Sequence, residues 1–271
     1  MKTPHTICLL SLVTLLSTML SGCVHHGATT ASPLKENVPV KAATYNIKHG
    51  LGMDGRIDLE RTAVVLAALD ADVIALQEVD EGARRSGGID QAGWFGERLG
   101  MHAAFGAFMD FQDGRYGLAI LSRHPIVSHD SWRLPDGNEP RVALAARIAP
   151  PGEPEYTVIA VHFDWVQDDG FRFEQASETI DRIKTLETPW IVLGDFNDTP
   201  GSRTMDGFHA IGTEAVKAGA QTGTFPSVEP RTEIDFILAG PAGSWRVGEA
   251  SVIDERIASD HRPVTATIHP N

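Results

Sequence analysis

The strongest constraint on the fold of this chain is a set of short apolar runs that each stop on a residue able to do chemistry. Val73-Ile74-Ala75-Leu76 has no polar position and is followed by Gln77-Glu78. Thr157-Val158-Ile159-Ala160-Val161 ends on His162, and Ile191-Val192-Leu193-Gly194 ends on Asp195, with Asn197 just beyond. Ala42-Ala43-Thr44-Tyr45 leads in the same way to Asn46, while Asp260-His261 directly precede the last run, Val264 to Ile268. Runs this short, bounded by polar residues, fit strands covered on both faces. A strand end held in a rigid sheet can aim its side chain into a shared cleft. A buried carboxylate there must find a partner, because an unpaired buried charge is prohibitive.

The remaining pattern predicts strands at Val40 to Ile47, near 102–108, 116–122, 126–133, 141–148 and 156–162, and at Trp190 to Leu193, Ile234 to Leu238 and Arg246 to Ile253. Asp58 reads as the N-cap of a helix carrying Ala63, Val64, Leu66, Ala67 and Leu69. Gln91 to Leu99 is a second helix, ended by Gly100, and Phe171 to Leu186 a third, with Phe173, Ala176, Ile180 and Ile183 along one face. Many strands with few helices predict an α/β chain in which two sheets pack face to face with helices outside; strand order stays open.

Residues 1–22 read as a processing signal: Lys2 is followed by an apolar stretch from Ile7 to Leu20, too short for a comfortable bilayer span of about 20 residues. Leu20-Ser21-Gly22-Cys23 resembles a bacterial lipobox, with lipid attached to Cys23; the alternative is an ordinary secretory signal with an incidental cysteine. Residues 23–40 read as a polar tether, and 41–271, about 230 residues, as one domain. The only other cysteine is Cys8, inside the signal, so the mature chain has no disulfide and depends on its core. The predicted location is the cell envelope, on the periplasmic side or the cell surface, with the membrane reached through the N-terminal lipid. The sequence shows no protein partner.

The formal charge is -13, with no run of lysine or arginine to track a phosphate backbone. That counts against a high-affinity nucleic-acid binder. It leaves room for a nuclease, since bound metal can supply local positive charge. Glu78, Asp195, Asp260 and Asn46 are hard oxygen donors with no thiolate among them, a set that suits Mg²⁺ or Mn²⁺, as one or two ions, better than Zn²⁺. Taken singly, each is an ordinary loop or turn residue.

Their order is more telling. Tyr-Asn (45–46), Leu-Gln-Glu-Val (76–79), Leu-Ser-Arg (121–123), Val-His-Phe-Asp (161–164), Gly-Asp-Phe-Asn (194–197), Ile-Asp-Phe-Ile (234–237) and Ser-Asp-His-Arg-Pro-Val (259–264) together resemble the endonuclease/exonuclease/phosphatase superfamily across essentially all of 41–269. The resemblance implies a four-layer α/β sandwich and metal-assisted hydrolysis of a phosphoester by water. It implies Asn46 and Glu78 as the metal-holding pair, with Asp260 a nearby or second-metal carboxylate. It implies Asp195 as the residue orienting or deprotonating water, Asn197 as a phosphate ligand, and His162 on a non-bridging oxygen. His261 is then a phosphate contact or proton handler held by Asp235, an arrangement that fixes its tautomer.

Arg141 is a candidate for phosphate contact or for a surface ion pair. Arg85 and Tyr116 are candidates for the cleft rim, and Lys48 and His49 follow the metal residue, His49 as an extra ligand or a surface side chain. The predicted function is phosphoester hydrolysis, with a lipid headgroup, a small phosphodiester or nucleic acid as substrate. The alternatives are a secreted nuclease and a catalytically inactive lipoprotein that binds phosphorylated ligands; retention of Glu78, Asp195 and His261 argues against the latter. Cys23→Ala is expected to move the protein from the membrane to the soluble fraction on cell fractionation; an unchanged distribution would reject the lipobox reading.

Overall fold

The computed structural model describes residues 38–271, so Cys23, the signal and most of the tether lie outside them. Two six-stranded sheets form the molecule. The first runs β11 (Trp245–Val252), β12 (Val264–Pro270), β1 (Val40–Asn46), β2 (Val73–Glu81), β4 (Gly114–Ser122), β3 (His102–Phe111). The second runs β5 (Ile126–Arg133), β6 (Val142–Ile148), β7 (Tyr156–His162), β8 (Trp190–Asp195), β10 (Asp235–Gly240), β9 (Thr213–Glu214). Each sheet has one parallel pair at its centre, β1 with β2 and β7 with β8, and antiparallel neighbours elsewhere. A parallel pair needs a crossover, and helices supply it: α1 (Leu59–Leu69) between β1 and β2, α3 (Gly170–Ile183) between β7 and β8.

The unbroken apolar runs follow from double-sided burial. In β1 and β2, Ala42, Val73 and Ala75 face the second sheet, where Leu144, Val158, Ile191 and Leu193 meet them. The alternate residues Ala43, Tyr45, Ile74 and Leu76 pack under α1 and α2 (Gln91–Leu99). On the far side Ile159, Val161, Val192 and Phe236 pack under α3 and α4 (Arg203–His209). The result is the four-layer α/β/β/α sandwich expected.

The structure departs from the expected pattern at several places. In α1 the Asp58 cap forms, its carboxylate accepting from Arg61 N at 2.9 Å, but Val64 and Ala67 face solvent and the packed stripe is Leu59, Ala63, Leu66 and Leu69. α3 stops at Ile183, and Phe171, near its start, is exposed. α4 was not anticipated; Ser202 caps it by accepting from Met205 N. β2 does not end at Leu76: its ladder with β4 breaks after Leu76 and resumes at Val79, which leaves Gln77 and Glu78 in a bulge.

Phe208 is fully buried against Phe163 and Phe196. Phe208→Ala should cost about 3–5 kcal/mol. Urea unfolding checks this as a lowered midpoint at unchanged slope.

Candidate active site

Asp195 is the centre of the cluster. It is the last residue of β8, in register with His162 of β7 on one side and Asp235 of β10 on the other, so three candidate side chains share one face of one sheet. The approach is tight: a Cβ at the preceding Gly194 would lie 2.1 Å from the Val161 carbonyl oxygen, so only glycine fits there. Asp195 and Asp235 are both buried and directly opposed, an arrangement that like charges disfavour.

His261 resolves that conflict. Its Nδ1 lies 3.0 Å from Asp235 Oδ2 and its Nε2 3.6 Å from Asp195 Oδ2. Burial alone would lower the His261 pKa, but the two carboxylates together push it up to about 10. Asp195 is raised to about 7, chiefly by burial and against the pull of His261. These three side chains offer ligand atoms within 4.8 Å of one another, a spacing a metal could use. The facing atoms of His261 and Asp235 are already joined by a hydrogen bond, however, which suits proton handling better.

The first sheet supplies the other wall. Asn46, fully buried at the end of β1, donates Nδ2 to Asp195 Oδ2 at 3.2 Å and to Glu78 Oε1 at 3.1 Å. Glu78 sits in the bulge at φ 58, a left-handed conformation that turns a strand residue out into the cleft. Ser259 donates Oγ to the Asn46 carbonyl at 2.7 Å and accepts from His261 N, tying the Asp260-His261 loop to β1. Asp260 Oδ2 pairs with Lys48 Nζ at 2.6 Å. Asn197, at φ 50, bonds Asp195 Oδ1 through its backbone N–H and donates Nδ2 to the Phe163 carbonyl.

His162 lies with Nε2 3.5 Å from Asp195 Oδ2 and has no bond to Nδ1 among the described residues. Burial holds its pKa well below the ordinary value, with Arg141 and His261 adding to the effect. Arg141 is not a surface residue. It is 1% exposed, stacks over Phe108, and pairs only through Nη2 with Glu139, leaving Nε and Nη1 without a partner among the described residues. Phe108 also packs against His162, which places the guanidinium one ring away from the centre. Tyr116 packs on Phe108, and Arg85 stacks on Tyr116 while gripping buried Asp80 with two bonds. His49 is buried too, contrary to a surface role, and burial lowers its pKa to about 4.

Sequence reasoning gave no role to Ser259, Phe108 or Asp164. Buried Asp164 accepts from Asn138 N and Val166 N, which pins the loop before Arg141 to the end of β7. The signal for Ser259 and Asp164 lay in their places inside the quoted segments.

The model of the endonuclease/exonuclease/phosphatase family matches residues 43–261. The chain belongs to this family. Among curated relatives, the uncharacterized protein YbhP of Escherichia coli K12 is 28% identical over 249 residues, 84% of this chain and 96% of its own. Among solved structures, an endonuclease/exonuclease/phosphatase of Bacteroides vulgatus has a TM-score of 0.72 at 21% identity, covering 86% of this chain and all (100%) of its own. The human Nocturnin catalytic domain with bound sulfate has a TM-score of 0.69 at 19% identity, covering 86% of this chain and 94% of its own. A mannosyl-6-phosphatase of Bacteroides thetaiotaomicron has a TM-score of 0.65 at 18% identity, covering 84% and 99%. Family membership places the chain among the phosphoesterase- and nuclease-type hydrolases.

The buried histidine makes a pH prediction. Below about pH 6.5 the unfolded chain takes up a proton that folded His49 refuses until about pH 4, so stability should fall across that window as pH falls. Urea midpoints measured from pH 7 to 4 should decline, and His49→Gln should flatten the decline; equal slopes would show that His49 does not cause it.

Proposed function

We propose that this protein is a divalent-metal-dependent phosphodiesterase with water as nucleophile, held outside the cytoplasm by lipid on Cys23. The observation that carries the reading is the ring around Asp195 Oδ2: Asn46 Nδ2 at 3.2 Å, His162 Nε2 at 3.5 Å and His261 Nε2 at 3.6 Å, with Asp235 behind the imidazole. The donor chemistry fits a metal. Glu78 and Asp260 are half-buried carboxylates with no thiolate near them among the described residues, and Asn46 Oδ1, which accepts one bond from Lys48 N–H, keeps a second lone pair, so Glu78 and Asn46 Oδ1 would hold Mg²⁺ or Mn²⁺. Bound there, the ion supplies charge neutralisation at the phosphate oxygens.

The chain's own groups do the rest. Asp195 orients the attacking water and takes its proton, with His261 already protonated beside it, while the phosphorus–oxygen bond to the leaving group breaks and that oxygen takes a proton from solvent. Asp235 fixes the ring of His261 throughout. Neutral His162 and the two Arg141 nitrogens that have no partner among the described residues, Nε and Nη1, bind non-bridging oxygens where charge grows. Asn197, Tyr116 and Arg85 border the phosphate and its leaving group. The acidic chain and the lipid anchor favour a small phosphodiester or lipid headgroup over nucleic acid.

Hydrolysis of a chromogenic phosphodiester by the full chain should require Mg²⁺ or Mn²⁺ and stop with EDTA. Asp195→Ala should lower kcat by about 10²–10⁴-fold. Turnover that persists in Glu78→Ala or in EDTA would reject the metal-dependent reading.

A further inference from the structure

Lys48 brings a positive charge to Asp260 at the edge of the cleft. Its Nζ meets Asp260 Oδ2 at 2.6 Å, across 212 residues of sequence. The turn that delivers it is unusual. Lys48, His49 and Gly50 follow one another at φ 47, 44 and 83, and the first two conformations are rare for residues other than glycine. This turn lets the Lys48 backbone N–H donate to Asn46 Oδ1 at 3.2 Å while the ammonium reaches Asp260. One residue thus touches both the amide expected to hold metal and Asp260, the carboxylate expected near that metal or on a second one.

The charges of the cluster point the same way. Four carboxylates converge: Glu78, Asp195, Asp235 and Asp260. His261 is bonded to Asp235 and Lys48 to Asp260. Four less two leaves Glu78 and Asp195, the two carboxylates bridged by Asn46 Nδ2. A single divalent ion balances that pair. A second ion at Asp260 would have to displace an ammonium already in contact, or share the carboxylate against strong repulsion.

We infer that Lys48 is a built-in cation filling the second cation position at Asp260, so that the site takes one divalent ion. This rests on the reading of Glu78 and Asn46 as the metal-holding pair.

Mn²⁺ binding to the full chain, followed by loss of the free-ion electron paramagnetic resonance signal, tests it without reference to turnover. Wild type should bind one tight ion per chain, and Glu78→Ala none. Lys48→Arg, which keeps the positive charge, should stay at one. Lys48→Asp, which sets two carboxylates face to face, should bind two; Lys48→Met, which only removes the charge, should add a weaker second ion and serves if Lys48→Asp does not fold. Two ions in wild type, or one ion in folded Lys48→Asp and Lys48→Met alike, would overturn the inference and leave the metal reading standing. No tight ion in wild type would overturn both.

Discussion

Asp195 is buried in the seam between two sheets, and the surroundings of the cleft follow from what that burial costs. A carboxylate stripped of water is stable only if several donors replace the water. Here two hydrogen bonds do so, from the Asn197 backbone N–H and from the Asn46 amide on the opposite sheet, with the imidazoles of His162 and His261 at 3.5 and 3.6 Å. Because β10 places Asp235 directly opposite, the strand pairing itself creates a second demand that only a cation between the two can meet. The structural need and the chemical use coincide. The groups that make Asp195 tolerable are those that would surround a phosphate and its attacking water.

Much of this was visible in the residue order. Double-sided burial forces the central strands to be apolar throughout, so a polar residue closing such a run stands out, as His162 and Asp195 do. Those two share a face because β7 and β8 pair in parallel register, which the sequence could not reveal but the geometry of a crossover makes natural. The helix cap was equally legible at Asp58, whose carboxylate bonds an N–H group in the first turn.

What was hidden has physical reasons. A bulge has no residue signature, so Glu78 looked like a residue after a strand when it lies inside one. Arg141 beside Glu139 and Pro140 has the composition of an exposed turn; its burial depends on Phe108, brought over from another sheet. Val64 looked like core because a helix stripe is wide, and the packed side of α1 is decided by which turn meets the sheet. Lys48 carried no motif, since its partner lies near the other end of the chain.

Asn46 and Glu78 ride on one sheet, His162, Asp195 and Asp235 on the other, and the apolar residues between the sheets act as the spacer that sets the gap across the cleft. Close-packed interiors transmit changes in volume and do not absorb them. A methyl group added or lost at Leu144 or Val158 therefore alters the aperture of a site it never touches. In this architecture the deep interior is a gauge as well as a ballast, and selection on turnover would be felt at positions far from any substrate.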